Sequence, residues 1–160
     1  MRKAGKYVLL CLTVLCLVFI FFNSLQNAAS SSRQSGRLVT FVTNVIHSLT
    51  GKTAESGVVT HLIRKAAHFS EFALLGFLGT STVAAFRHKV YGSVQQIAFW
   101  GLLAAVTDEF LQGFSAGRSP EVKDVFLDLA GFLTGLVLAW WITAALSRRR
   151  KTYEMGVSVD

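Results

Sequence analysis

Long apolar runs, each marked near one end by a few ionisable residues, dominate the pattern along the chain. The first covers residues 7–25, opens as "YVLLCLTVLCLVFIFF" and gives way to the polar stretch "NSLQNAASSS". Three more follow at 65–86, 94–114 and 122–146. Each is close to the ~20 residues that carry a helix across ~30 Å of hydrocarbon. The pattern therefore predicts an all-α integral membrane protein with four transmembrane helices. Between the first two runs, "GRLVTFVTNVIHSLTG" repeats Leu38, Phe41, Val42, Val45, Ile46 and Leu49 at helical spacing, with Thr43, Asn44 and His47 on other faces. It predicts a short amphipathic helix over 36–49 in the first outer loop, lying on the membrane surface or packed as a lid. A single proline and no repeat of fixed period argue for one membrane domain over 1–160.

Composition strengthens this picture. The chain is 52% hydrophobic and 16% charged, with a mean hydropathy of +0.48, too apolar for an ordinary soluble domain. The first run also has the outline of a signal peptide, but it is longer than a signal core and no A-x-A site follows. A retained helix is the reading adopted. Cys11 and Cys16 lie inside that run without ligand spacing and read as packing or lipid-facing residues.

The net charge of +7 sits largely at the termini. Arg2, Lys3 and Lys6 precede the first run, Arg87 and Lys89 fall between the second and third, and Arg148, Arg149, Arg150 and Lys151 follow the fourth. Positive flanks mark the cytoplasmic side, so four crossings with both termini cytoplasmic satisfy all three. Aromatic residues do not interleave with the basic ones, which argues against nucleic-acid binding.

That orientation gathers the ionisable residues at the outer ends of three helices. Arg64, Lys65, His68 and Glu71 open the second span, Asp108, Glu109 and Gln112 close the third, and Arg118, Lys123, Asp124 and Asp128 surround the start of the fourth. At 1.5 Å per residue, Glu71, Asp108 and Asp128 each lie roughly 6–10 Å inside their helix ends. Steps of three and four keep Arg64, His68 and Glu71 on one face, and likewise Asp108 with Gln112 and Asp124 with Asp128. Three polar stripes thus face one cavity. A buried acidic residue costs about 2.5–3.5 kcal/mol at a span centre and less near the interface, so the group must be compensated.

Several compensations remain open. The cations and carboxylates can form a salt-bridge network that pins helix ends. They can bind the anionic headgroup of an envelope lipid or lipid-linked precursor, with Arg64, Lys65 and Arg118 as anion contacts and the fourth-helix start at Ser119-Pro120 offering free N–H groups. They can also serve an enzyme, with His68 and Glu71 facing Asp108 or Glu109 as acid/base groups or as ligands of a divalent metal. No H-E-x-x-H zinc spacing and no nucleophile motif supports a named cofactor. Transport is disfavoured because the charges cluster at one face. Gly76, Gly79, Gly131 and Gly135 offer small faces for helix packing, Trp100, Trp140 and Trp141 read as anchors, and His88 as cytoplasmic.

The blocks "RKAAHFSEF", "DEFLQGFSAGR" and "DVFLDLAGFLTG", with "FFNSLQ" after the first run, resemble in order the VanZ-like family of bacterial membrane proteins. The likeness covers about 19–135. It implies Lys65, His68, Glu71, Asp108, Glu109, Gln112, Arg118 and Asp124 as site residues. Where the family often has Asn, this chain has Asp128. The resemblance further implies a multi-pass protein of the bacterial plasma membrane and cell envelope, in a group linked to reduced sensitivity to teicoplanin-type glycopeptide antibiotics; it does not define an activity.

Overall fold

The computed structural model describes residues 3–26, 28–51, 55–87, 90 and 93–157. Five helices follow in order: α1 (Lys3–Ser24), α2 (Ala28–Thr50), α3 (Ser56–Arg87), α4 (Val94–Gln112) and α5 (Val122–Val157). No strand occurs among the described residues. Among the described residues, three segments are long and apolar enough to cross a membrane: Ala4–Ser24, Ser56–Arg87 and Val122–Ser147. The fourth expected span, α4, is not among them. Its 19 residues extend about 29 Å at 1.5 Å each, but Gln95, Gln96, Asp108, Glu109 and Gln112 dilute its apolar character.

Helix ends depart from the expected ones where hydropathy and helix formation part company. α3 begins at Ser56 rather than near 65, because Arg64 and Lys65 end the apolar run without weakening the helix. The amphipathic helix is 23 residues long, not confined to 36–49, since "AASSSRQS" contains no proline or glycine to stop it. α5 continues past 146 through the basic tail to Val157, lysine and arginine being good helix formers. Arg2, His88 and Lys89, expected on the cytoplasmic side, lie outside the described residues.

The bundle is built around α3 and α5, which share its most extensive interface. Glycines make the approach close: a Cβ on Gly131 would run into the Phe69 carbonyl, one on Gly135 into the Ala73 carbonyl, and one on Gly76 into the Phe132 carbonyl. Gly79 differs from this expectation. Nothing lies within 4 Å of where its Cβ would be, and it faces a groove of about 350 Å³ between α1 and α4. Ile20, Phe72, Leu75, Ile97, Ala105 and Phe132 form the core where α1, α3, α4 and α5 meet. The outside is apolar: Val14, Val18, Trp100, Phe110, Val137 and Trp141 are all exposed, as a lipid-facing surface requires and a water-facing one does not. α2 packs against α3 and leaves Leu38, Phe41 and Val45 exposed on one face.

The helices run so that polar residues gather at one end. At the other, the Tyr7 and Phe86 rings meet edge to face at 5.9 Å, Lys6 lies 5.8 Å over the Phe86 ring, and Arg87 donates to Ser93 Oγ and Gln96 Oε1. The start of α1, the end of α3 and the start of α4 therefore share one end of the bundle.

Candidate functional site

At the opposite end, α1, α3, α4 and α5 and the α4–α5 connection each contribute polar groups. Asp108, on the last turns of α4, is 0% exposed. Its Oδ1 accepts a hydrogen bond from Ser24 Oγ at 2.5 Å, and its Oδ2 one from Gln112 Nε2 at 2.9 Å. The second of these is the expected i,i+4 pairing along α4. Ser24 is held in turn, its carbonyl accepting from Ser115 Oγ at 2.7 Å. One residue earlier, Asn23 Nδ2 donates to Glu71 Oε1 at 3.1 Å. Neither Asn23 nor Ser24 was singled out from the sequence as a site residue. The signal was present in "FFNSLQ", where Asn and Ser directly follow an apolar run at the depth of Glu71 and Asp108.

His68 is the junction between α3 and its neighbours. Its Nδ1 lies 3.6 Å from Asp108 Oδ2 and 3.8 Å from Asp128 Oδ1, both beyond hydrogen-bond reach. Asp128 is 1% exposed. Neither of its oxygens accepts a hydrogen bond, and His68 Nδ1 makes none. Donor atoms of His68, Asp108 and Asp128 lie within 4.8 Å of one another.

Near the mouth, Lys65 pairs with Asp124. Among the described residues this is the one ion pair between a carboxylate and a lysine or arginine. A network pairing four cations with five carboxylates is therefore not what compensates the layer.

Arg118 reaches this end from the connection. A turn in which Arg118 N–H donates to the Ser115 carbonyl, with Gly117 at φ 79°, reverses the chain just before it. The left-handed backbone there suits glycine. The guanidinium Nε and Nη1 are buried without a hydrogen-bond partner. Burial and the Arg64 guanidinium pull Arg118 below its ordinary value, while Asp108, Glu109 and Glu71 oppose the shift; two cationic side chains thus share one neighbourhood.

Three expected placements change. Glu109 does not face His68: its Oε1 accepts the backbone N–H of Glu121 at 2.5 Å, and its Oε2 is buried without a hydrogen bond. It tethers the segment just ahead of α5 and places an anion near the positive end of that helix. Because α5 starts at Val122, Ser119 and Pro120 precede it rather than forming its cap and first turn. Glu109 takes up the anion-binding potential assigned to that helix start. Glu71 is turned toward α1 through Asn23 rather than toward Glu109.

The polar layer is nearly closed. The cavity bounded by Arg64, Lys65, His68, Gln112, Asp124 and Asp128 is about 10 Å³, room for about one water molecule. It is too small for a headgroup. Anything larger must sit over the mouth, against Arg64 and Lys65.

The model of the VanZ/LLP1 family matches residues 9–143 of the chain. No curated protein and no solved structure matches it.

Proposed function

Since the chain belongs to the VanZ/LLP1 family, we propose that it is a bacterial cell-envelope membrane protein that holds the anionic headgroup of a lipid or lipid-linked precursor. The observation that carries this reading is Arg118, whose Nε and Nη1 are buried with no acceptor. A buried, unsatisfied N–H costs about 1–3 kcal/mol and more on a charged group. A phosphate or carboxylate oxygen placed there meets two donors at once. The Arg64 guanidinium shares the neighbourhood of Arg118, and Arg64, Lys65, Gln112 and Asp124 line a small pocket at the same end. The groove past Gly79 and Trp100 offers an apolar path for an acyl chain.

In this reading the chain forms one membrane domain in the plasma membrane, with α1, α3, α4 and α5 crossing and both termini cytoplasmic. The basic flanks favour that orientation, and it sets the polar end outward with α2 at the outer surface. Binding an envelope precursor there is also the route by which such a protein would alter teicoplanin susceptibility. Phosphate assay of lipid retained through detergent washes tests the headgroup. Wild type and Arg87→Glu, changed at the opposite end, should retain it, and folded Arg118→Glu should lose it. Equal retention by all three overturns the proposal.

A second reading, an intramembrane hydrolase or transferase, is favoured by His68 Nδ1 standing 3.6 Å from Asp108. One bridging water would complete an acid/base relay between them. Glu71 and Glu109, included in that set by spacing, are held by Asn23 and Glu121 instead. Turnover of an envelope lipid that His68→Ala and Asp108→Asn both abolish supports the relay, whereas turnover surviving both substitutions refutes it.

A further inference from the structure

Two carboxylates from different helices, Asp108 at 0% and Asp128 at 1% exposure, lie beside each other with no lysine or arginine paired to either. Burying one ion without a partner costs several kcal/mol, and two like charges repel as well. Asp108 has hydrogen bonds from Ser24 and Gln112. Asp128 has none, although it is as deeply buried. The deficit is positive charge at one point, bounded by Asp128, Asp108 and the free Nδ1 of His68.

We propose that His68, Asp108 and Asp128 bind one divalent transition-metal cation through His68 Nδ1 and one oxygen of each carboxylate. Their donor atoms lie within 4.8 Å of one another, with His68 Nδ1 3.6 and 3.8 Å from the two carboxylates. Those separations are too long for hydrogen bonds. Around an ion with bonds of about 2.0–2.2 Å, neighbouring ligands stand roughly 3.0–3.5 Å apart. The two histidine–carboxylate separations therefore need to close by only a few tenths of an ångström, while the two carboxylates, within 4.8 Å of each other, draw together onto the ion. Two carboxylates and a neutral imidazole make the loaded site neutral; the imidazole favours iron or zinc over magnesium or calcium, and the carboxylates also suit manganese. Gln112 and Ser24 hold Asp108 in orientation, as outer hydrogen bonds do for metal ligands. The adjoining cavity of about 10 Å³ leaves room for about one water as a further ligand. Because α3, α4 and α5 each give one ligand, the ion also ties the three helices together.

The proposal stands on this cluster and not on the headgroup reading. The full chain in detergent is stripped with EDTA and incubated separately with manganese and zinc. Bound metal is then counted by elemental mass spectrometry after gel filtration. Wild type should retain about one equivalent of at least one of them, and Asp128→Asn and His68→Ala less than about a tenth. Thr107→Ala, which removes a hydroxyl bonded to the Leu103 carbonyl and not to the cluster, should bind as wild type does. Asp128→Asn removes a buried charge rather than a packed group, so loss of binding by a folded variant reports the ligand. Wild type that binds neither metal overturns the proposal, as does folded Asp128→Asn that binds equally well. Metal retained by Arg118→Glu protein that has lost its lipid shows that the ion does not depend on the headgroup and supports this site by itself.

Discussion

Ser24→Ala isolates the link between α1 and the polar layer. The substitution removes one hydroxyl, and with it one of two hydrogen bonds to a carboxylate that has no contact with solvent. Hydrogen bonds between membrane helices average only about 0.6 kcal/mol. Asp108 is a buried carboxylate, however, and bonds to charged groups are worth about 1.5–3 kcal/mol. The larger figure should govern here. For a chain of 160 residues, 1 kcal/mol moves the melting temperature by about 2–4 °C, so Ser24→Ala should melt roughly 3–12 °C below wild type. Intrinsic tryptophan fluorescence of the detergent-solubilised protein reads the transition. In an Asp108→Asn background the same change should cost only about 0.5–1.5 kcal/mol, the value of a neutral bond. A melting temperature within about 1 °C of wild type, or the same loss in both backgrounds, would refute the reasoning.

Other substitutions separate packing from electrostatics. Gly135→Ala should destabilise by about 1–3 kcal/mol in the same melt, because its methyl meets the Ala73 carbonyl across the α3–α5 interface. Glu109→Gln should weaken the tether on Glu121 by about 1 kcal/mol and speed amide hydrogen exchange at the start of α5. Lys65→Ala should cost no more than about 1 kcal/mol, since its ion pair with Asp124 is partly exposed. A larger Lys65 effect than Ser24 effect would favour the ionic network as the layer's main support.

Much of the architecture was legible because bilayer crossing imposes a simple rule on sequence. Long apolar runs located α1, α3 and α5, and helical spacing within each helix, with equal depth between them, put the polar stripes that carry His68, Asp108 and Asp128 in one layer. Hydropathy could not fix where α3 begins, since Arg64 and Lys65 are poor in lipid yet good in a helix. Asn23 and Ser24 escaped because polar residues ending an apolar run look like an ordinary exit into water. Only tertiary packing turns them toward Glu71 and Asp108. Glu109 illustrates a different limit: adjacent to Asp108 in sequence, it points about 100° away around the helix and meets the connection instead. Cavity volume is set by side-chain packing that periodicity does not encode, so the expected chamber is a pocket of about 10 Å³.

Native mass spectrometry of the full chain, released from detergent, tests most directly whether this polar end recognises an anionic headgroup. The account predicts a wild-type population carrying the mass of one lipid or lipid-linked precursor, lost from Arg118→Glu and kept by Arg87→Glu. A bare chain mass for wild type, or the same adduct on folded Arg118→Glu, would contradict it.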